Sequence, residues 1–256
     1  IIGTLLGTKS DSLESKIGKA LKEGEPYDQK RVDLFQHFHQ YLRNLAPFAR
    51  LSSMTEMQWQ NLSFFEGYFS NFIEGTEFDV EEAREITFEG KIPFARLEDA
   101  HDILGTYQII SSRDEMSITP KTFEEFITLL KKRHATIMIS RASHRPGEFK
   151  NMVNRAGSTL FVQPQFVIGT LKNGFDLYKS IECPFYRAIF IKFIISEVHL
   201  FADGNGRLSR IMMNAELVSS GEIKIIIPTV FRSNYLSALK AISQNQILEP
   251  LVRVLD

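Results

Sequence analysis

The chain contains a single cysteine, Cys183, among 256 residues. One thiol excludes an internal disulfide framework and predicts a reducing, cytoplasmic setting. Net charge is also nearly absent: 30 Lys and Arg against 31 Asp and Glu leave −1. No basic field therefore marks a nucleic-acid partner. Long hydrophobic runs are missing too. The longest apolar stretch, Ala188 to Val198, is interrupted by Lys192, Ser196 and Glu197. It is too short and too charged to span a bilayer, which predicts no membrane partner. The Gly-Lys-Ser/Thr of a P-loop does not occur, and neither repeats, low-complexity tracts nor Pro/Gly-rich linkers stand out.

What is present is helical periodicity. Val32 to Ala46 carries Leu34, Phe35, Phe38, Leu42 and Leu45 at helical spacing. Its His37 and His39 point to different faces and make no metal pair. Met57–Phe72, Leu97–Ile110 and Phe123–Ile139 read as further helices. Pro184 suits a first helical position, and the run from there to His199 is apolar nearly all round, the pattern of a buried central helix. Gly206 to Ser220 reads as a helix stopped by Gly221. The expected fold is an all-α bundle around these last two helices, with one small hairpin near 147–164. Residues 1–26 read as a polar leader, 27–95 as an N-terminal helical region and 96–256 as the core.

Between the two central helices lies His199-Leu-Phe-Ala-Asp-Gly-Asn-Gly-Arg-Leu-Ser-Arg210. A Gly-Asn-Gly turn opening a helix presents unpaired N–H groups and the positive end of the helix dipole, the elements of a phosphate site. Arg207 and Arg210, three residues apart, share a face one turn deeper. Asp203 can hold the Mg²⁺ that a triphosphate brings. His199 can take a proton from an attacking hydroxyl. Competing readings fail on the residues. A calcium loop starting at Asp203 would place Arg207, Leu208 and Asn214 at its fifth, sixth and twelfth positions. A dinucleotide fingerprint lacks its third glycine and follows a helix instead of a strand. The combination predicts a nucleotidyl-transfer site.

This segment resembles the signature of the Fic family, His-Pro-Phe-x-Asp/Glu-Gly-Asn-Gly-Arg-x-x-Arg, with Leu200 in place of the usual proline. That proline shapes the chain after the histidine. The resemblance implies a protein adenylyltransferase that moves AMP from ATP to a Ser, Thr or Tyr hydroxyl of a target protein. It admits modification of the chain itself and a homodimer. It implies His199 as general base, Phe201 as a core anchor and Asp203 as the Mg²⁺ ligand. Gly204, Asn205 and Gly206 would form the anion hole, with Arg207 and Arg210 on the outer phosphates. Removal of AMP, transfer of another phosphate-containing group, or a non-catalytic nucleotide- or peptide-binding module are the alternatives.

Three further segments extend the resemblance. Ser70-Asn-Phe-Ile-Glu-Gly75 resembles the family's inhibitory motif, Ser/Thr-x-x-x-Glu-Gly/Asn. Ser70 and Glu74 share a helix face, and Glu74 aimed at Arg210 would occupy the guanidinium fork that clamps the γ-phosphate. Arg145-Pro-Gly-Glu-Phe-Lys150 and Leu160-Phe-Val-Gln-Pro164 bracket Asn154, Gly157, Ser158 and Thr159, which reads as a hairpin. Its family counterpart is a flap that docks the target segment. Arg232 to Leu239 resembles the stretch after the signature helix, where relatives carry adjacent aromatics near the nucleotide base and this chain has Tyr235 and Leu236.

Overall fold

A computed structural model describes residues 25–47, 50 and 54–256. The polar leader expected over 1–26 thus lies almost wholly outside the described residues. The longer elements run α1 (Gln29–Arg43), α2 (Glu56–Ile73), α3 (Val80–Arg84), α4 (Leu97–Ile110), α5 (Arg113–Met116) and α6 (Phe123–Ile137). A short hairpin of β1 (Arg155–Ala156) and β2 (Thr159–Leu160) follows. The chain continues through α7 (Val167–Lys179), α8 (Pro184–Val198), α9 (Asn205–Ser219), α10 (Arg232–Asn245) and α11 (Glu249–Leu255). The all-α expectation holds: among the described residues the two-stranded antiparallel hairpin is the whole of the sheet.

Helix α8 is the axis of the bundle. Pro184 fills its first position, where an N–H has no helical acceptor. Its residues are buried on every face, including the polar Lys192 and Glu197, so neighbours must enclose it. Helices α1, α7 and α9 do so. Phe38 of α1 meets Phe193 edge-on at 4.7 Å between ring centroids, and Phe35 meets the same ring at 5.9 Å, the T-shaped geometry that ring quadrupoles favour. On its other side α9 packs against α2, α5 and α6.

The N-terminal helix α2 begins at a capping box. Gln58 N–H donates to Thr55 Oγ1 at 3.2 Å and Thr55 N–H donates to Gln58 Oε1 at 2.8 Å. Buried polar contacts lock it against α9: Asn214 Nδ2 donates to Glu66 Oε1 at 2.8 Å, and Lys224 Nζ lies 3.0 Å from Glu66 Oε2. Helix α2 ends at Glu74, with Gly75 following at φ 97°.

Two differences from the sequence reading have physical causes. The hairpin pairs only Arg155 with Leu160 and Ala156 with Thr159, not the span 147–164. Lys150 N–H instead donates to Leu200 O at 3.0 Å, so the lead-in strand is spent on the turn after α8. Helix α7 escapes the periodicity reading, although it buries Val167, Leu171, Phe175 and Tyr178. Its Gly169 and Gly174 are there because the neighbours are close. A Cβ at Gly169 would come within 2.4 Å of Pro26 O.

Because Phe193 is fully buried where α1 meets α8, Phe193→Ala should destabilise the fold by about 3–5 kcal/mol. Urea titration followed by circular dichroism measures this, and a loss below about 1 kcal/mol would contradict the packing described.

Candidate active site

The six residues from His199 to Gly204 connect α8 to α9. Helix α8 closes on His199 itself, in the left-handed region at φ 51°, ψ 61°. A residue with a Cβ adopts this at a cost of roughly 1–2 kcal/mol, so the surroundings must fix it. A side chain closes the turn. Asn205 Oδ1 accepts from Phe201 N–H at 2.9 Å and Asn205 Nδ2 donates to Phe201 O at 2.9 Å. The Asn205 side chain thus closes its own loop and leaves anion binding to the backbone. Gly204, at φ 73°, starts α9.

Phe201 is fully buried and stacks on His134 of α6, with centroids 3.6 Å apart and planes 2° from parallel. Gly147 N–H donates to His134 Nδ1 at 2.9 Å. The proton of the neutral ring therefore sits on Nε2, which donates to Asp203 O at 3.0 Å. Burial lowers the His134 pKa to about 4, keeping the ring neutral. Sequence reasoning missed this residue, because its partners lie 13 and 69 positions away.

His199 stacks on Phe161, with ring centroids 3.8 Å apart. Burial first, and the Lys150 charge second, lower its pKa to about 4, against opposing effects of a hydrogen bond to the Ser196 backbone and of the Glu74 and Asp203 charges. At neutral pH the imidazole is uncharged. One nitrogen holds a proton for the Ser196 carbonyl and the other can accept one.

The Glu74 carboxylate lies at the start of α9. Arg210 Nη2 donates to Glu74 Oε1 at 2.6 Å, to Ser70 O at 2.9 Å, and Arg210 Nε donates to Ser70 Oγ at 2.9 Å. Ser70, Glu74 and Arg210 are thus in contact across 136 to 140 positions of sequence. Burial opposes the Arg210 charge, but Glu74 and Tyr235 together offset it and the pKa is raised. A Cβ placed on Gly206 would come within 2.1 Å of Glu74 Oε1. The carboxylate therefore covers the first turn of α9 as well as the guanidinium.

A cavity of about 210 Å³ adjoins these groups. Glu74, His199, Gly206, Arg210 and Tyr235 line it. Phe161 and the hairpin residues Ala156 and Thr159 add to its wall, as do Glu197 of α8 and Leu236, Lys240 and Ser243 of α10. Glu197 is buried, accepts from Ser243 Oγ–H, and pairs with Arg31 of α1 at 2.5 Å.

Three proposed ligands stand differently from their neighbours. Arg207 is buried outside the cavity wall. It pairs with Asp102 at 3.0 Å and approaches Asn71 Oδ1 at 3.3 Å. Asp203 keeps its side chain 46% exposed, with Oδ1 accepting from Gly204 N–H at 2.7 Å. Tyr235 lines the cavity beside cations: Lys192 Nζ is 4.6 Å from its ring centroid and Arg210 Cζ is 6.0 Å away. Burial would raise its pKa, and those two charges lower it instead. Lys192 and Glu197 were visible in the sequence only as interruptions of an apolar helix.

The fold has counterparts among known proteins. Residues 126–217 match the Fic/DOC family model. A relative named protein adenylyltransferase fic-1, from Caenorhabditis briggsae, is 24% identical over 217 residues, covering 83% of this chain and 43% of that protein. Protein adenylyltransferase Fic of Drosophila melanogaster is 38% identical over 76 residues, which is 30% of this chain and 15% of that protein. The chain thus spans less than half the length of these relatives. Among solved structures, C. elegans Fic-1 (aa134–508) superposes with a TM-score of 0.64 at 21% identity, covering 89% of this chain and 68% of that one. A Fic domain containing signaling protein from Bacteroides thetaiotaomicron superposes at 0.65 and 21%, covering 87% and 91%. The fold, the signature at 199–210 and the family model matched by residues 126–217 lead to one conclusion: this chain is similar to Fic-family proteins in its fold and over that segment of its sequence.

Proposed function

We propose that this chain transfers AMP from ATP to a Ser, Thr or Tyr hydroxyl of a target protein, its own hydroxyls included, and that Glu74 holds the activity off. The observation that carries this reading is the Glu74 carboxylate bonded to Arg210 and set over Gly206, in the cavity that His199 lines. An acceptor-only anion occupies the two features that would otherwise attract phosphate, a buried guanidinium and a helix N-terminus. The names of the relatives support the same chemistry.

In the proposed reaction the α9 amides hold the α-phosphate, and Arg210 takes the terminal phosphate once Glu74 withdraws. The target hydroxyl oxygen forms a bond to the α-phosphorus, the bond to the leaving pyrophosphate breaks, and His199 takes the hydroxyl proton. The lowered His199 pKa suits the role, because the ring is a free acceptor at neutral pH. Asp203 would hold Mg²⁺. Its half-exposed carboxylate suits an ion that keeps several waters and needs only one or two carboxylates beside the phosphates. That ion would neutralise charge on the triphosphate. Arg207, tied to Asp102, would contribute its charge to the phosphates from behind the turn. A second reading, removal of AMP by water, draws on the one-third exposure of the Glu74 side chain within the same cavity. There Glu74 would orient the attacking water.

Glu74→Gly should raise transfer of label from α-labelled ATP to the protein by about 5- to 150-fold, the range of a typical coupling free energy. Adding His199→Ala should cut it by about 10²–10⁴-fold while ATP binding survives. Undiminished transfer without His199, or no change on removing Glu74, would overturn the respective role.

The metal-free protein supplies a pH test. The folded His199 pKa, about 4, lies below the ordinary 6.5, so the unfolded chain binds the proton more tightly. The stabilising contribution is complete above pH 6.5 and is lost as pH falls through 4. Carbon-detected NMR of the His199 ring should give a midpoint near 4, and one near 6.5 would contradict the buried neutral base.

A further inference from the structure

The left-handed His199 is held by two residues from the segment that leads into the hairpin. Lys150 Nζ donates to Val198 O at 3.2 Å, and Lys150 N–H donates to Leu200 O at 3.0 Å. Asn154 Nδ2 donates to Phe201 O at 2.8 Å. The carbonyls on both sides of His199 are thereby fixed by one short stretch of chain. The two clamp residues also hold each other, with Lys150 Nζ donating to Asn154 Oδ1 at 2.7 Å. That bond sets the amide orientation without ambiguity. An ammonium or amine must face the Asn154 oxygen, and a carbonyl must face its nitrogen.

We propose that Lys150 and Asn154 are positioning residues, which hold the His199 imidazole in its reactive orientation by clamping the backbone at Val198, Leu200 and Phe201. Several observations support this. A non-glycine residue with positive φ persists only where its surroundings over-determine it, and here three carbonyls adjoining it are bonded to two side chains and one N–H. The family signature commonly has proline after the histidine, and this chain has Leu200, so the backbone there is not restrained by a ring. Lys150 is only 6% exposed although cationic in form. Burial, with the Arg31 charge, lowers its pKa to about 7. A buried amine is retained at this cost when its donors are used, as they are here. The charges acting on His199 are that of Lys150, which lowers its pKa, and those of Glu74 and Asp203, which raise it.

The kinetic arm of the test rests on the proposed transferase reading, and the spectroscopic arm does not. In the Glu74→Gly protein, Asn154→Ala and Lys150→Met should each lower kcat for label transfer by about tenfold or more, as expected for a misplaced catalytic group. The ATP Kd should stay unchanged, since neither residue lines the cavity. Lys150→Arg, which retains donors and charge, should recover part of the kcat. Independently of activity, NMR of the His199 ring should show loss of the upfield ring-current shift from Phe161 in Asn154→Ala. In Lys150→Met its pKa should rise, because a neighbouring positive charge is gone. Unchanged kcat in both variants, or unchanged His199 shifts and pKa in folded protein, would overturn the clamp. Failure of the Glu74→Gly parent to transfer label would instead count against the transferase reading, leaving the spectroscopic arm to decide the clamp. Should Lys150→Met not fold, Asn154→Ala decides both arms alone.

Discussion

The turn from α8 to α9 buries Leu200, Phe201 and Gly204, and the backbone polar groups buried with them must find partners there. Much of the architecture answers that constraint. Asn205 folds back on Phe201, His134 reaches in from α6 to the Asp203 carbonyl, and Lys150 and Asn154 come from the hairpin lead-in. The partners come from three segments, α6, the hairpin lead-in and the start of α9, so the turn ties the bundle together as it positions its own residues. What remains unspent is the opening turn of α9. Its amides precede the first helical bond, from Leu208 N–H to Gly204 O at 3.0 Å, and they face an anion from outside the turn.

In this structure Glu74 is that anion. A buried ion pair is weak evidence of stability, because desolvation can offset the Coulomb gain. The Glu74–Arg210 pair is also lopsided: Arg210 is almost wholly enclosed, whereas Glu74 keeps a third of its side chain exposed. Arg210 has further bonds to both Ser70 oxygens, and so remains partly satisfied if the carboxylate leaves. Glu66 and Ser63 hold α2 to the core through Lys224 and Asn214. Glu74 sits just past the last turn of that anchored helix. Displacing its carboxylate requires movement of a helix end, not of the whole helix.

Periodicity locates the central helices and most of the outer ones, because α1, α2, α4, α6, α8 and α9 bury apolar residues at regular spacing. The bounds of α4 coincide with those read from the sequence, and elsewhere they differ by up to three residues, as at α1, which starts at Gln29 because Asp28 accepts from Arg31 N–H. The hairpin is shorter than expected, since extended segments around a Gly/Asn centre carry no information about which backbone groups pair. Local motifs give the turn and its arginines, the Ser70–Glu74 spacing gives a shared helix face, and the resemblance to the inhibitory motif aims that face at Arg210. Residues that act through distant partners are out of reach: Asp102 meets Arg207 and Arg141, and Lys150 meets Val198. Resemblance places Tyr235 near a nucleotide base, and its packing against Lys192 and Arg210 is a further feature that no local motif carries.

The central claim is that Glu74 and the terminal phosphate compete for one place on Arg210. A crystal structure of the wild-type and Glu74→Gly proteins, each with Mg²⁺ and an ATP analogue whose α–β bridge cannot be cleaved, tests it directly. The account predicts terminal phosphate oxygens bonded to Arg210 in the variant, with the α-phosphate over Gly206, and the Glu74 carboxylate keeping Arg210 in the wild type. The same triphosphate pose in both proteins, with Glu74 still on Arg210, would contradict it.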